Sequence, residues 1–563
     1  MTERQWTPAF PNSAGFNRWG ILIQLVISMV ILAPALVHLG VALPGQSGLA
    51  DLPGTVNYHW LVHSQGLGAA ASSSLMMFPA EINRLILDGM PLDALASMPF
   101  TAVFGFPNGF TLFVWMCLFA LGLSTSWLAQ QWWNSFPAAV CAGVVAQCHP
   151  FLIREVLDGR PTQLFGAIFL PLCLVFAIRS AHTGSMRTAL TAGLFWGLGA
   201  LSYWIYGAFY GLALLALLAG MVADGRAWIR PAACWVAGAM AVTFGPLWYT
   251  LGAASKMPGQ GLGWDDLVTH GDHDLPLWQL IEFRDLGASI MSDRVLAVQV
   301  IVVGLIVVAI RQTSRREWIF PTVLLGLAFA FGTGPRLGFG EFNIPGPFAL
   351  FDLTDWTRRF WWPERSLVLA VPATALLVGG GAKALIERIR PNQPWVAGGT
   401  LACLLLVEAF LVIPGLPMPT TWGAESKASI QLSQGSGPVL LLPLGSGGVQ
   451  PDARMLIDQI HHGRPLVNGP MPFTSSTAPA AYAAATQSPA LADLVSCEKN
   501  AQSQPTLGME LQRKALLAWP VSTVYLDISR TSQMAGGGTL YRECIERILG
   551  ESTGGDPLLE YPL

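Results

Sequence analysis

The sequence predicts a polytopic α-helical membrane protein with a small α/β domain at its C-terminus. Three observations carry that prediction. Of 563 residues, 52% are hydrophobic and only 12% charged, against roughly 25% charged in a soluble domain. Mean hydropathy is +0.49. About eleven apolar runs, each near the ~20 residues that a spanning helix needs, fill residues 1–418, and the composition turns polar over 419–563.

The runs lie near 19–43, 108–128, 135–152, 163–180, 187–203, 204–223, 231–252, 294–310, 317–334, 365–386 and 395–414. Ile21–Val41 is too long for the core of a secretory signal and reads as a retained anchor. The fifth and sixth runs abut at Tyr203–Trp204, so they are joined by a very tight turn or form one long helix. The loops fall into two chemical classes. One set carries Arg179, Arg187, Arg226, Arg230, Arg311, Arg315, Arg316, Lys383, Arg388 and Arg390, and an excess of Lys and Arg in short loops marks the cytoplasmic side. With Arg4 and Arg18 at the N-terminus, the chain starts inside, and an odd number of spans puts the C-terminus outside. The 21 tryptophans suit membrane–water interfaces, and the net charge of −3 argues against a nucleic-acid partner.

Three opposite-side loops are long: 44–107, 253–293 and 335–364. In the first, Ala80–Met98 alternates apolar and charged residues and can lie flat in the interface. The outer domain, 419–563, shows strands at Val439–Pro443, Pro465–Asn468 and Val521–Ile528, with helices at Asp452–His462 and Leu540–Leu549. Six cysteines (117, 141, 148, 173, 234 and 403) sit in apolar runs as packing residues. Cys497 and Cys544 are in the polar region and form the one plausible disulfide if that region is outside.

Chemistry gathers in the outer loops. Asp51 follows the first run; it can act as a general base, help hold a divalent metal, or cap the helix after it. Glu155 and Asp158, in Arg-Glu-Val-Leu-Asp-Gly-Arg-Pro-Thr-Gln, share one helical face at i and i+3. They can chelate a metal, divide acid and base roles, or be neutralised by Arg154 and Arg160. His270, Asp272 and His273 have metal-capable side chains, with Asp265 and Asp266 before them, but their order matches no zinc signature, and a polar loop explains them equally. Arg358, Arg359 and Arg365 lie among Trp356, Phe360, Trp361 and Trp362. Their forked donors suit phosphate oxygens, while an aromatic belt with an Arg–Glu364 pair is the plainer account. His461-His462-Gly-Arg closes a helix, where cations are favoured for dipole reasons. Gly379–Gly381 lies inside a run and reads as a helix-packing feature. No Walker loop, dinucleotide fingerprint or serine-nucleophile motif is present.

These residues resemble the GT-C superfamily of membrane glycosyltransferases, and within it the YfhO-like bacterial membrane proteins. Asp51 is similar in placement to the family's first acidic residue, although it stands alone where many members carry two adjacent acids. Glu155-x-x-Asp158 matches the second acidic motif. Gly159-Arg-Pro-Thr-Gln163, Phe360-Trp-Trp-Pro-Glu-Arg365 and Asp458-Gln-Ile-His-His-Gly-Arg-Pro-Leu-Val-Asn-Gly469 are similar to further stretches of that group. The resemblance implies a bacterial inner-membrane enzyme with a periplasmic C-terminal domain. It would transfer a sugar from a polyprenyl-phosphate-linked donor to a glycan, lipid or protein acceptor on the outer face, by an inverting reaction. Asp51 would be the base, and Glu155 and Asp158 would position the acceptor or a divalent metal. Arg160, Arg358, Arg359 and Arg365 would bind the lipid phosphate.

Two other classes fit the composition. A non-catalytic membrane subunit of an envelope complex would use the same bundle as a scaffold. A lipid or solute transporter would place ionisable groups near the bilayer midplane, yet Glu408 is the exception in runs nearly free of them.

Overall fold

The computed structural model describes residues 18–45, 51–76, 82–87, 91–157, 159–161, 163–254, 299–334, 336–339, 342–353, 363–413, 415–444, 454–467, 488–518, 521–531, 537–555 and 557–562. They divide into two compact units. The first holds the described residues of Met1–Gln46, Gly89–Lys256 and Gly261–Thr421; the second holds those of Ser47–Asp88 and Trp422–Leu563.

The first unit is a helical bundle. Among the described residues, 7 helices are long and apolar enough to cross a membrane: Asn108–Trp133, Phe136–Leu157, Gln163–Thr183, Trp204–Ala223, Ile229–Tyr249, Pro363–Ile389 and Pro394–Val412. Arg18–Ile31 and Val300–Gln312 are shorter apolar helices. The first run ends as a helix at Ile31 because Pro34, at the start of the next short helix Ala33–Val37, cannot continue the hydrogen-bond ladder. The fifth and sixth runs are separate helices, Met186–Ser202 and Trp204–Ala223. They meet at Tyr203, whose backbone is extended (φ −162°, ψ 113°).

Small residues set the closest helix contacts. A Cβ on Gly193 would lie 2.1 Å from the Trp235 carbonyl oxygen, and one on Gly238 2.4 Å from the Leu190 oxygen, so Met186–Ser202 and Ile229–Ala254 touch backbone to backbone. Gly379–Gly381 does act in packing: Gly380 faces the Trp133 ring and Gly381 the Leu305 carbonyl, while Trp133 Nε1 donates to Leu376 O at 2.8 Å. Gly193→Val should therefore cost about 3 kcal/mol or more, by forcing the backbones apart. Thermal melting of the purified protein in detergent checks this; an unchanged melting temperature would refute the contact. Glu408, the acid in the last run, accepts from Ile301 N at 2.7 Å and so satisfies a donor at the start of Val300–Gln312. That is a structural use of an intramembrane carboxylate.

The second unit is built on a four-stranded sheet. Val439–Leu442 pairs parallel with Thr523–Asp527; Leu558–Pro562 runs antiparallel to that strand and to Thr553–Gly555. Val439–Leu442 reads as an unbroken apolar run because helices cover both faces of the sheet. Leu440, Leu442, Val524 and Leu526 pack with residues of Pro489–Lys499 and Gly537–Leu549. Val439, Leu441 and Tyr525 face the opposite core, with Leu432, Met455, Leu456, Met76 and Ile82. The expected strand at 465–468 is reduced to a single bridge, Leu466 with Val439.

The first outer loop supplies part of this unit. Its helix Asp51–Ala71 packs on Arg454–His462. Asn57 Nδ2 donates to Leu456 O and Gln459 Oε1, each at 2.9 Å, and Arg84 donates to Asn57 Oδ1 (3.1 Å) and Gly54 O (3.0 Å). Arg84 is buried, not a charge at an interface. In the His461-His462-Gly-Arg stretch, Arg464 donates to the carbonyls of Leu432, Ser436 and Gly437 and tethers the end of the helix Lys427–Ser433.

One buried and one half-buried imidazole make this unit acid-sensitive. Burial, then His63, lowers His59 to about 3. Burial, then Arg464 and His461, lowers His462 to about 4, and its Nδ1 accepts from Arg464 N at 3.0 Å. In the unfolded chain both titrate near ~6.5, so below that pH the unfolded state binds more protons. Their contribution is complete above ~6.5 and is lost as pH falls towards the folded values, at up to about 1.4 kcal/mol per pH unit per group. Melting should drop steadily between pH 7 and pH ~4.5; a flat profile would contradict the burial of both rings.

Candidate functional site

Pro150–Leu157 is a short helix that carries Arg154 and Glu155 into the bundle interior. A tight turn closes its C-terminal end. Gly159 has φ +84°. Its N–H donates to Val156 O (3.1 Å), and the Arg160 N–H donates to Glu155 O (2.7 Å). This is the Schellman pattern, which needs a residue tolerant of left-handed backbone at the position of Gly159. It folds Arg160 back over the helix, and Arg160 Nε reaches Glu155 Oε2 at 2.8 Å.

A second guanidinium arrives from 210 residues away. The 3₁₀ turn Pro363–Leu369, held by the Ser366 hydroxyl on Ala328 O (2.7 Å), presents Arg365, whose Nη1 contacts the same Glu155 Oε2. The Glu155 side chain is 0% exposed and that of Arg365 1%. The Arg365 guanidinium lies 5.8 Å from the centre of the Tyr203 ring, a cation–π contact. Arg154 and Glu364 are within electrostatic reach. The described part of the cluster therefore holds three guanidiniums and two carboxylates. Taking such charges out of water is costly unless they are paired, and here positive charge is in excess. That arrangement suits an anion.

It does not suit a cation. Glu155, engaged by two guanidiniums, is a poor ligand for a divalent metal, and no group of three or more His, Cys, Asp or Glu gathers among the described residues. Asp158, His270, Asp272, His273, Arg358 and Arg359 lie outside the described residues. Asp51 opens the helix Asp51–Ala71 and belongs to the second unit, whereas Glu155, Arg160 and Arg365 belong to the first. Cys497 and Cys544 are joined in a disulfide within the second unit.

Sequence reading passed over Tyr203 and Tyr206. Tyr203 stands edge-on to Tyr206, ring centres 5.1 Å apart, and Tyr206 stacks with Tyr210 at 6.4 Å. The available signal was Tyr-Trp-Ile-Tyr-Gly-Ala-Phe-Tyr at a junction between two apolar runs. Repeated phenols there have polar tips that need partners.

No family model matches the chain, and no curated protein matches it. Solved structures do. The arabinofuranosyltransferase AftD from Mycobacteria aligns with 99% of this chain at TM-score 0.58 and 13% identity, over 40% of its own length. A second structure of AftD gives TM-score 0.60 and 14% identity, covering 98% of this chain and 42% of that one. The Archaeoglobus fulgidus oligosaccharyltransferase tethered with an acceptor peptide gives TM-score 0.50 at 11% identity, over 94% of this chain and 72% of that one. The chain thus spans about two-fifths of the length of AftD.

Proposed function

We propose, starting from the GT-C glycosyltransferase fold of this multi-pass membrane chain, that it transfers a sugar from a polyprenyl-phosphate-linked donor to an acceptor hydroxyl. The observation that carries this reading is the buried Arg365–Glu155–Arg160 cluster with its excess of positive charge. The acceptor oxygen attacks the anomeric carbon, the bond from that carbon to the phosphate oxygen breaks, and the lipid phosphate leaves with the electron pair. Direct displacement inverts the anomeric centre. The charge that develops is on the departing phosphate, and fixed guanidiniums in a dry site stabilise it most effectively. Glu155 holds both guanidiniums in place before the donor arrives.

The base in this reading is Asp51, on its sequence motif alone. Glu155 positions the two arginines. The acceptor is a glycan, lipid or protein. The reaction sits on the outer face of a bacterial cytoplasmic membrane, in line with the arginine-rich loops on the other side. The YfhO-like likeness rests on the sequence motifs alone.

The test is binding of undecaprenyl phosphate to the purified full chain, with the neutral polyprenol as control. Binding of the phosphate and not of the alcohol is expected. Equal binding of both, or of neither, would overturn the reading.

A further inference from the structure

Both arginines engage one oxygen of Glu155. The other, Oε1, is buried and has no hydrogen-bond partner among the described residues. A carboxylate oxygen in that state is unfavourable unless something donates to it. The Tyr206 hydroxyl is in the same condition: the side chain is fully buried and its oxygen has no partner. Tyr206 lies within electrostatic reach of Glu155 and Arg365. Its ring cannot swing away, being held between Tyr203 and Tyr210 and against Gly166, where a Cβ would come within 2.8 Å of it. One turn on, the Tyr210 hydroxyl donates to Gly166 O. Within this stack the Tyr210 hydroxyl is satisfied, whereas that of Tyr206 is not.

We infer that Glu155 Oε1 and the Tyr206 hydroxyl form a hydroxyl-recognition subsite, so that the transferred sugar carries a free hydroxyl on the carbon next to the phosphate-bearing one. This rests on the polyprenyl-phosphate reading above and deepens it. An ionised carboxylate only accepts, and a phosphate has no proton to give it; a phenol both donates and accepts. A sugar hydroxyl donates to Oε1 and accepts from Tyr206. The two arginines assigned to the phosphate and the open Oε1 share one carboxyl group, which sets phosphate and hydroxyl side by side on the ligand. The nearest sugar hydroxyl to the phosphate is the one on the adjacent carbon.

The test uses three probes on the purified full chain: undecaprenyl phosphate, undecaprenyl-phosphate glucose and its 2-deoxy analogue, each with wild type and Tyr206→Phe. Sites built around a hydroxyl discriminate strongly against its absence. Wild type should prefer glucose over 2-deoxyglucose by ~10-fold or more, and Tyr206→Phe should lose most of that preference while binding the bare lipid phosphate as wild type does. Without ligand, Tyr206→Phe should melt no lower than wild type, because the hydroxyl it removes has no partner. Equal binding of the two sugars by wild type would overturn the subsite alone, as would a clear fall in the melting temperature of Tyr206→Phe. Failure of wild type to bind the bare lipid phosphate would overturn the donor reading and the subsite with it.

Discussion

Arg365→Ala should abolish polyprenyl-phosphate binding and also destabilise the bundle. The side chain it removes is 1% exposed and pairs with a carboxylate that is 0% exposed. Breaking a buried ion pair by deleting one partner costs about 3–5 kcal/mol, because the remaining charge stays buried. Arg160 remains on Glu155 Oε2, which puts the expected loss at the lower end. Binding should fall ~100-fold or more, since a desolvated charge-assisted contact is lost. Two further variants separate stability from recognition. Arg365→Lys keeps the charge but not the fork, and should recover stability better than binding. Arg365→Met combined with Glu155→Gln also takes the carboxylate from Arg160, so it should melt no higher than Arg365→Met alone and still not bind. Melting curves and lipid-binding isotherms on wild type and these four variants decide this. Full binding by Arg365→Ala would remove Arg365 from the donor site.

Loss of the Cys497–Cys544 disulfide should be the largest single stability change in the second unit. The bond spans a sequence separation of 47. Closing a loop of that size in the unfolded chain is worth about 4 kcal/mol in the chain-entropy account. Both cysteines sit in the core formed by Leu494, Tyr541, Ile545 and Ile548, so Cys497→Ser also buries a hydroxyl there. Reduction with dithiothreitol and the Cys497→Ser/Cys544→Ser double variant should both lower the unfolding midpoint of this unit, the double variant further because of its buried hydroxyls. A midpoint unmoved by reduction would contradict the assignment. Disulfides persist in oxidising compartments, which supports the outer placement proposed for this unit.

Much of the architecture was legible because it depends on local composition. Apolar runs of spanning length gave the helical bundle, and the polar turn after residue 419 gave the α/β unit with Val439–Leu442, Arg454–His462 and Thr523–Asp527 close to their expected places. Only two cysteines were available to pair outside the apolar runs. What escaped depends on contacts distant in sequence. That Ser47–Asp88 belongs with the C-terminal unit follows from Asn57 meeting Gln459 across 402 positions, which no periodicity encodes. The helices Pro489–Lys499 and Met509–Ala518 and the strand Leu558–Pro562 are short and mixed in character, and were missed because packing decides them more than propensity does.

The candidate site divides the same way. Glu155-x-x-Asp158-Gly-Arg160 was visible as a motif, and its turn geometry comes from Gly159. The sequence did not show that Arg365 closes on Glu155, nor that a one-residue break at Tyr203 brings phenols beside the pair. The Arg365–Glu155 contact adds a second guanidinium to the one Arg160 places on Glu155 Oε2.

The most direct measurement is donor turnover. Purified full chain is incubated with a radiolabelled undecaprenyl-phosphate sugar and membranes supplying acceptors, and released undecaprenyl phosphate is counted for wild type and Asp51→Asn. The account predicts turnover by wild type, loss of ~100-fold or more in Asp51→Asn from removal of the base, and retained binding of undecaprenyl phosphate by both. Turnover by Asp51→Asn at the wild-type rate would remove the assigned base, and a wild type that binds the lipid phosphate yet never releases sugar from any such donor would contradict the glycosyltransferase reading itself.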